Sequence, residues 1–252
     1  MRVSTIAREG LTFSYLNKEE FEFLYRDIFI QKVYEFPSLL SPPLIIDCGA
    51  NIGLSVLYFR KRYPEAHIIA FEPNPKTYQI LERNMKNNYV TNVSLVKAAL
   101  APKRGVLDFY VSRDATHPWS AADSAVKGKW YDSALCMKIQ VPAVTLSSYI
   151  TGRVDLLKMD IEGYEERVLR EIEKKLDHVR AIVLEFHGNP ANRYNNLKKI
   201  LSILSRREFQ YEIKEDGNIV TLPHDDSLYY RLYVYGVKTA QYRSQGKGDQ
   251  AI

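Results

Sequence analysis

The chain has 252 residues, 46% of them hydrophobic and 26% charged. That balance belongs to an ordinary folded protein and excludes disorder, a collagenous repeat and a coiled coil as whole-chain descriptions. The formal charge of +5 permits an anionic partner, but three of those five charges lie at the ends: residues 1–9 carry +1 and residues 238–252 carry +2.

Taken in chain order, residues 1–17 alternate weakly and suit a small hairpin. A helix is expected from Lys18, because Phe21, Leu24, Tyr25, Ile28 and Phe29 fall on one apolar stripe. The stripe can pack on a sheet or cover a crevice, with Tyr25 or Tyr34 reaching in. Pro37, Pro42 and Pro43 break the chain. Then strands and helices alternate. Strands are expected at 44–48, 67–71, 93–98, 154–159 and 179–186, and helices at 52–63, 75–88, 162–175 and 192–206. Segments 209–213 and 229–236 suit a closing antiparallel pair. Tyr229, Tyr233 and Tyr235 share one face of it, a packing pattern. Short unalternated apolar strands separated by helices indicate an α/β, Rossmann-like doubly wound sheet covered on both faces. Between the third and fourth strands, 106–111 and 137–141 alternate like a β-hairpin. The polar stretch 112–136 between them holds His117, Trp119 and Trp130. Loops of that length are commonly functional.

The division expected is an N-terminal cap (1–43), one main domain (44–237) and a flexible tail (238–252). Cys48 and Cys136 are too few for a disulfide framework, and both are expected to be buried thiols. No run of 18 apolar residues and no signal peptide is present, so no membrane span is expected and a cytoplasmic location is.

The chemistry concentrates at strand ends. In such sheets ligands bind beyond the carboxyl ends of the strands. The first strand runs into Asp47-Cys-Gly-Ala-Asn-Ile-Gly53, a glycine turn before a helix. Asn51 stands where a dinucleotide fingerprint carries its middle glycine, and no Lys-Ser/Thr pair follows. The turn therefore allows a close approach without being built for phosphate. Glu72 ends the second strand, where an acidic residue accepts hydrogen bonds from two ribose hydroxyls. Asp47, at the first strand end, suits a cationic group. Together they suit S-adenosylmethionine, an adenosine that carries an amino acid and a sulfonium but no phosphate. Asp160 closes the fourth strand, with Lys158 on the same face. Tight-turn glycines and a solvated strand-end carboxylate are the plainer alternatives.

Three segments, Asp47-Cys-Gly-Ala-Asn-Ile-Gly53, Phe71-Glu-Pro-Asn-Pro75 and Asp155-Leu-Leu-Lys-Met-Asp-Ile-Glu-Gly-Tyr-Glu165, resemble the FkbM family of S-adenosylmethionine-dependent methyltransferases over 44–211. The resemblance implies a seven-stranded methyltransferase sheet whose last strand is antiparallel. It implies methyl transfer to a hydroxyl of a sugar, glycan or secondary metabolite; some relatives modify peptide nitrogen. It places Asp47, Gly49, Asn51 and Gly53 along the methionine half of the cofactor, Glu72 on the ribose, Asn74 beside the adenosine, and Asp160 near the amino group or the reacting centre. Cys48 stands where the family more often has valine.

Methyl transfer needs alignment of donor and acceptor and removal of the acceptor's proton. Asp160 and His187, both at carboxyl ends of strands, are the catalytic candidates. His67 and His178 precede strands and lie on the opposite rim. Glu185, Asp160 and His187 carry ligand types for a divalent ion, but no spacing demands one, and no metal is assigned. The expected partner is a small-molecule or glycan acceptor. Nucleic acid is not expected: Asp160-Ile-Glu-Gly163 replaces the Asn/Asp-Pro-Pro-aromatic turn of amino-directed nucleic-acid enzymes, and no binding domain is appended. A non-catalytic cofactor-binding protein is the other competing class. No oligomeric state is assigned.

Overall fold

The structure is a computed structural model, which describes residues 3–36, 42–112, 123–127, 136–189, 192, 195–221 and 230–238. His117, Trp119, Trp130, Tyr229, Pro37 and the tail from residue 239 lie outside the described residues.

The apolar runs form the centre of one mixed sheet. Its core strands are β3 (Leu44–Cys48), β4 (His67–Phe71), β5 (Val93–Val96), β9 (Val154–Met159) and β10 (Val179–Gly188). All five are parallel, in the order β5-β4-β3-β9-β10. Every residue of β9 and β10 is buried, as strands covered on both faces must be. Beyond β10, β13 (Tyr230–Lys238) runs antiparallel to both of its neighbours, β10 and β11 (Phe209–Glu215). A two-residue strand, β12 (Asn218–Ile219), pairs with the edge of β11. The sheet is the α/β, mixed sheet expected, but it holds eight strands among the described residues where seven were expected, because β12 pairs on at the edge. Reversal between β3 and β5 on one side and β9 to β13 on the other makes β3 and β9 the switch point, where such sheets open a crevice.

Helices α2 (Leu54–Arg62), α3 (Pro75–Asn87), α4 (Glu165–Glu171) and α5 (Leu197–Arg206) cover the sheet. Pro75 begins α3 and the Asn74 side chain accepts from Lys76 N, so α3 starts as the sequence indicates. The expected helix at 162–175 starts late, because Glu162 and Gly163 sit at φ +55° and +92° and turn the chain first. It continues past α4 as a 3₁₀ turn, Glu173–His178. The helix expected from Asn192 begins at Leu197 instead; Asn192 Nδ2 donates to Gly163 O at 2.7 Å.

The N-terminal segment belongs to the core. Strands β1 (Ser4–Arg8) and β2 (Leu11–Tyr15) form the hairpin, and α1 (Lys18–Tyr25) runs on into a π-helical turn, Arg26–Ile30. Phe13, Phe21, Tyr25 and Phe29 are buried with residues of α2 and with Ile45, Ile68 and Leu156 of the sheet. Asn84 of α3 ties the hairpin down: its Oδ1 accepts from Ser14 N at 2.6 Å, and its Nδ2 donates to Ser14 O and Ile52 O. The excursion after β5 is a second sheet of β6 (Ala99–Leu100), β7 (Gly105–Ser112) and β8 (Cys136–Val144), in the order β6-β8-β7. Cys48 is buried, but Cys136 is only half-buried, because it pairs with Ser112 at the outer end of β7–β8. Both cysteines are free. Among the described residues, no helix is long and apolar enough to cross a membrane.

The Asn84 tie yields a test. Asn84→Ala leaves the buried Ser14 amide without its acceptor, a loss of about 1–3 kcal/mol. Urea unfolding of the variant should show that loss with an unchanged denaturant slope.

Candidate active site

The carboxyl ends of β3 and β9 are joined by one buried cation. Lys158 is 2% exposed, and its Nζ lies 3.2 Å from Asp47 Oδ1 and 3.6 Å from Asp160 Oδ2. It also donates to Gly49 O at 2.6 Å and sits under the Tyr34 ring. Burial works against the ammonium charge, but Asp47 and Asp160 outweigh it and hold Lys158 above its ordinary range. Asp47 is completely buried, and Ser55 Oγ donates to its other oxygen at 2.6 Å. The cation that Asp47 meets is therefore Lys158. Gly49 makes the junction possible. It sits at φ +86°, and a Cβ there would stand 1.8 Å from Asp160 O. The close approach it permits is that of the β9 backbone, with Asp160 N donating to Cys48 O.

A cavity of about 440 Å³ opens above this junction. On the β4 side, Glu72 accepts from Asn51 N at 3.0 Å and from Asn74 N at 2.8 Å. Asn51 reaches this position at φ +49°. Burial pushes the Glu72 carboxyl up to about 8, against the two amide bonds that favour its charge. Asp123 lies nearby, accepting from Asn74 Nδ2 at 2.6 Å and from Ser112 N at 2.9 Å. Burial pushes it up to about 7. The 123–127 segment is held there by Ser124, which bridges Tyr110 and donates to Glu162 O.

On the β9–β10 side, Asp160, Glu162, Glu185 and His187 converge. His187 Nε2 lies 3.4 Å from Glu185 Oε1, 3.4 Å from Glu162 Oε1 and 4.0 Å from Asp160 Oδ1. Its Nδ1 faces Glu165, at 3.6 Å from Oε1. Tyr34 donates its hydroxyl toward Glu185 Oε2 at 2.9 Å and Asp160 Oδ2 at 3.2 Å. Burial, with Glu185 and Asp160 beside it, keeps that phenol far above its usual range, so it remains a donor. Burial and the charge of Glu185 push Asp160 upward. Burial also opposes the charge of Glu185, but the bond and charge of His187, with Arg231, pull Glu185 below the ordinary carboxylate range. Arg231 spans Asp27 at 3.0 Å and Glu185 at 3.5 Å.

The domain model described as "Methyltransferase FkbM domain" matches residues 47–213. The chain belongs to the FkbM methyltransferase family. It is 32% identical over 212 residues to "Methyltransferase sdnD" of Sordaria araneosa, covering 71% of this chain and 80% of that one. It is 29% identical over 206 residues to "31-O-demethyl-FK506 methyltransferase FkbM" of Streptomyces tacrolimicus, covering 71% and 79%. The crystal structure of methyltransferase FkbM from Methylobacillus flagellatus KT shares the fold, with a TM-score of 0.50 at 15% identity. That match covers 77% of this chain and 43% of the other, so this chain spans less than half of that structure. This FkbM methyltransferase is an enzyme that transfers the methyl group of S-adenosylmethionine.

The crevice of this FkbM methyltransferase brings together Gly49, Asn51, Glu72, Asp160 and His187 of the predicted residues; all five line the cavity. Asp47 lies beneath its floor. Gly53, at φ +90°, faces α3, where a Cβ would meet Leu81 at 2.6 Å. Asn74 caps α3 and holds Asp123. His67 and His178 are exposed, away from the cavity. Of the two tyrosines singled out, Tyr34 reaches the crevice, while Tyr25 bonds Glu9 within the aromatic cluster. Tyr233 lines the cavity rather than merely packing, and Asp27, Asp123 and Arg231 join it. These last residues carry no motif; only the packing of β13, the π-helical turn and the 123–127 segment against the crevice brings them in.

Removing Lys158 should expose the cost of the junction. Lys158→Met leaves Asp47 charged and buried without its partner, a loss of about 3–5 kcal/mol. Asp47→Asn in the same chain should restore part of that loss. Equal melting temperatures for the single variant and the parent would refute the junction's structural role.

Proposed function

We propose that the cavity binds S-adenosylmethionine with its ribose on Glu72, and that the methyl group passes to a hydroxyl oxygen of a sugar, glycan or secondary metabolite. One observation carries this reading: Glu72 and the Asp160–His187 group line one cavity, at the ends of β4 and of β9 and β10. Glu72 has both oxygens fixed by backbone amides, which orients its remaining lone pairs for two vicinal hydroxyls. Asp160 lies near the amino group of the donor or at the reacting centre. Gly49 and Asn51 line the path between them, while Asp47, Gly53 and Asn74 act one layer behind. The Streptomyces relative, by its name a 31-O-demethyl-FK506 methyltransferase, supports a hydroxyl acceptor.

The donor is already activated, so the residues of this chain have two tasks. Alignment in the cavity can supply about 7–11 kcal/mol of the barrier. Drawing off the acceptor's proton contributes about 10²–10⁴-fold. Asp160 and His187 perform the second task. The oxygen–carbon bond forms as the sulfur–carbon bond breaks, with its electron pair going to sulfur. Residues 1–43 serve as a cap: Phe23, Leu24, Asp27, Ile28 and Tyr34 form one wall of the cavity. Residues 44–237 form the methyltransferase domain and 238–252 a tail. Two free thiols suit action in the cytoplasm.

Two measurements test the reading. Glu72, held up to about 8 in the free protein, must release its proton to accept both ribose hydroxyls. Binding of S-adenosylmethionine, followed by calorimetry, should therefore strengthen more than about tenfold from pH 6.5 to 8 and level off above. Glu72→Gln should bind weakly and without that slope; a slope that persists in the variant refutes the ribose role. For the chemistry, labelled S-adenosylmethionine is offered with extracts of the source cell, and the labelled product is identified. With that acceptor, Asp160→Asn and His187→Gln should each lower the single-turnover rate at saturating donor by about 10²–10⁴-fold.

A further inference from the structure

We infer that Asp160, Glu185 and His187 form a divalent-cation site that seats the acceptor through two of its oxygens. The sequence assigned no metal, since Asp160 lies 25 residues from Glu185 and no ligand spacing links them. The sheet supplies what spacing does not. Strands β9 and β10 are adjacent and parallel, with Met159 paired to Leu184, so Asp160 and Glu185 emerge side by side. One ligand atom from each of the three residues falls within 4.8 Å of the others. Ligands of a single hard cation, held at about 2.0–2.6 Å, stand roughly 3–5 Å apart.

The surroundings shape these three atoms as a ligand set. Tyr34 takes Glu185 Oε2 and Asp160 Oδ2, and Lys158 also lies on the Oδ2 side. The opposite oxygens, Oε1 and Oδ1, lie on the side of His187 Nε2, with Arg231 3.5 Å from Oε1. Asp160 Oδ1 is buried and accepts no hydrogen bond from the described residues. Glu165 faces the other imidazole nitrogen, as a carboxylate does behind a metal-bound histidine. Two carboxylates and one imidazole on one face leave the other positions of the ion open, and this donor set favours magnesium, manganese or iron(II).

Carboxyl groups crowd the cavity: Asp27, Glu72, Asp123, Asp160, Glu162 and Glu185 line it beside Lys158 and Arg231. The open positions of the ion fit an acceptor with two adjacent oxygens, such as a vicinal diol or an α-hydroxy carbonyl. The ion polarises the acceptor hydroxyl. Its proton leaves to Glu162, which lines the same cavity, as the oxygen takes the methyl group and sulfur keeps the bonding pair.

This inference rests on placing Asp160 and His187 at the acceptor end, and it changes their part there: they hold the ion that polarises the hydroxyl, and Glu162 receives the proton. Its first test needs neither donor nor acceptor. Protein stripped with a chelator is titrated with Mn²⁺, and the loss of the free-ion electron paramagnetic resonance signal is followed. One saturable site per chain is expected, with Mg²⁺ competing. Glu185→Gln and His187→Gln should each weaken it by about tenfold or more; melting curves identify a variant that has unfolded, in which case Asp160→Asn replaces it. No saturable binding, or equal binding by folded variants, overturns the site. Methyl transfer undiminished in chelator overturns it as well, while leaving the methyl-transfer reading intact. Failure to bind S-adenosylmethionine would sink that reading instead, and the Mn²⁺ titration would stand on its own.

Discussion

A buried ammonium group organises this molecule. Lys158 sits on the central strand β9 and reaches Asp47 on β3, Asp160 at its own strand end, and the Gly49 carbonyl beyond. A lone charge at that depth would be strongly unfavourable. Its partners therefore have to be there, and each partner fixes a different part of the crevice. Asp47 orders the start of α2 through Ser55. Gly49 lets the turn after β3 close over the end of β9. Asp160 is held at the cavity edge, and the ring of Tyr34 lies over the ammonium. The cost of burying these charges is repaid only if all of them arrive together, which favours one arrangement of the strand ends.

The two sides of the crevice have different origins. The glycine turn, Glu72 and Asp160 come from three β–α units of the parallel core, so their positions follow from the sheet. The opposite wall is assembled from the extremes of the chain. Asp27 and Tyr34 come from the N-terminal segment, and Arg231 and Tyr233 from the last strand. The ion pair of Asp27 with Arg231 joins residues 204 positions apart. The aromatic cluster around Phe13 and the Asn84 tie hold the N-terminal segment against α2 and α3. The stripe on the first helix therefore does both things weighed for it: one face packs, and its continuation walls the cavity.

Periodicity and strand-end chemistry made much of this legible in the sequence. Unalternated apolar runs gave β3, β4 and β9 at their observed bounds, because strands covered on both faces read as nearly continuous apolar stretches. Helix starts were less legible where the chain turns through left-handed residues, as at Glu162, since no pattern marks a non-glycine residue there. Among site residues, Glu72 was readable because its role follows from one strand end. The partner of Asp47 was not readable, since a carboxylate at a strand end looks the same whether it faces a ligand or a lysine on the next strand.

The sequence by itself determined the order of elements, the parallel core, the carboxyl-end crevice and the family of methyltransferases to which the chain belongs. These depend on local periodicity and on short motifs, which survive without knowledge of distant neighbours. Only the tertiary structure decided which carboxylates meet which cations, that Gly53 serves helix packing, and that Asp27, Tyr34, Asp123, Arg231 and Tyr233 share the cavity with Asp160, Glu185 and His187. Those facts depend on distances between residues far apart in the chain. Coulombic attraction and desolvation act over a few ångströms, so they become definite only when the sheet has closed.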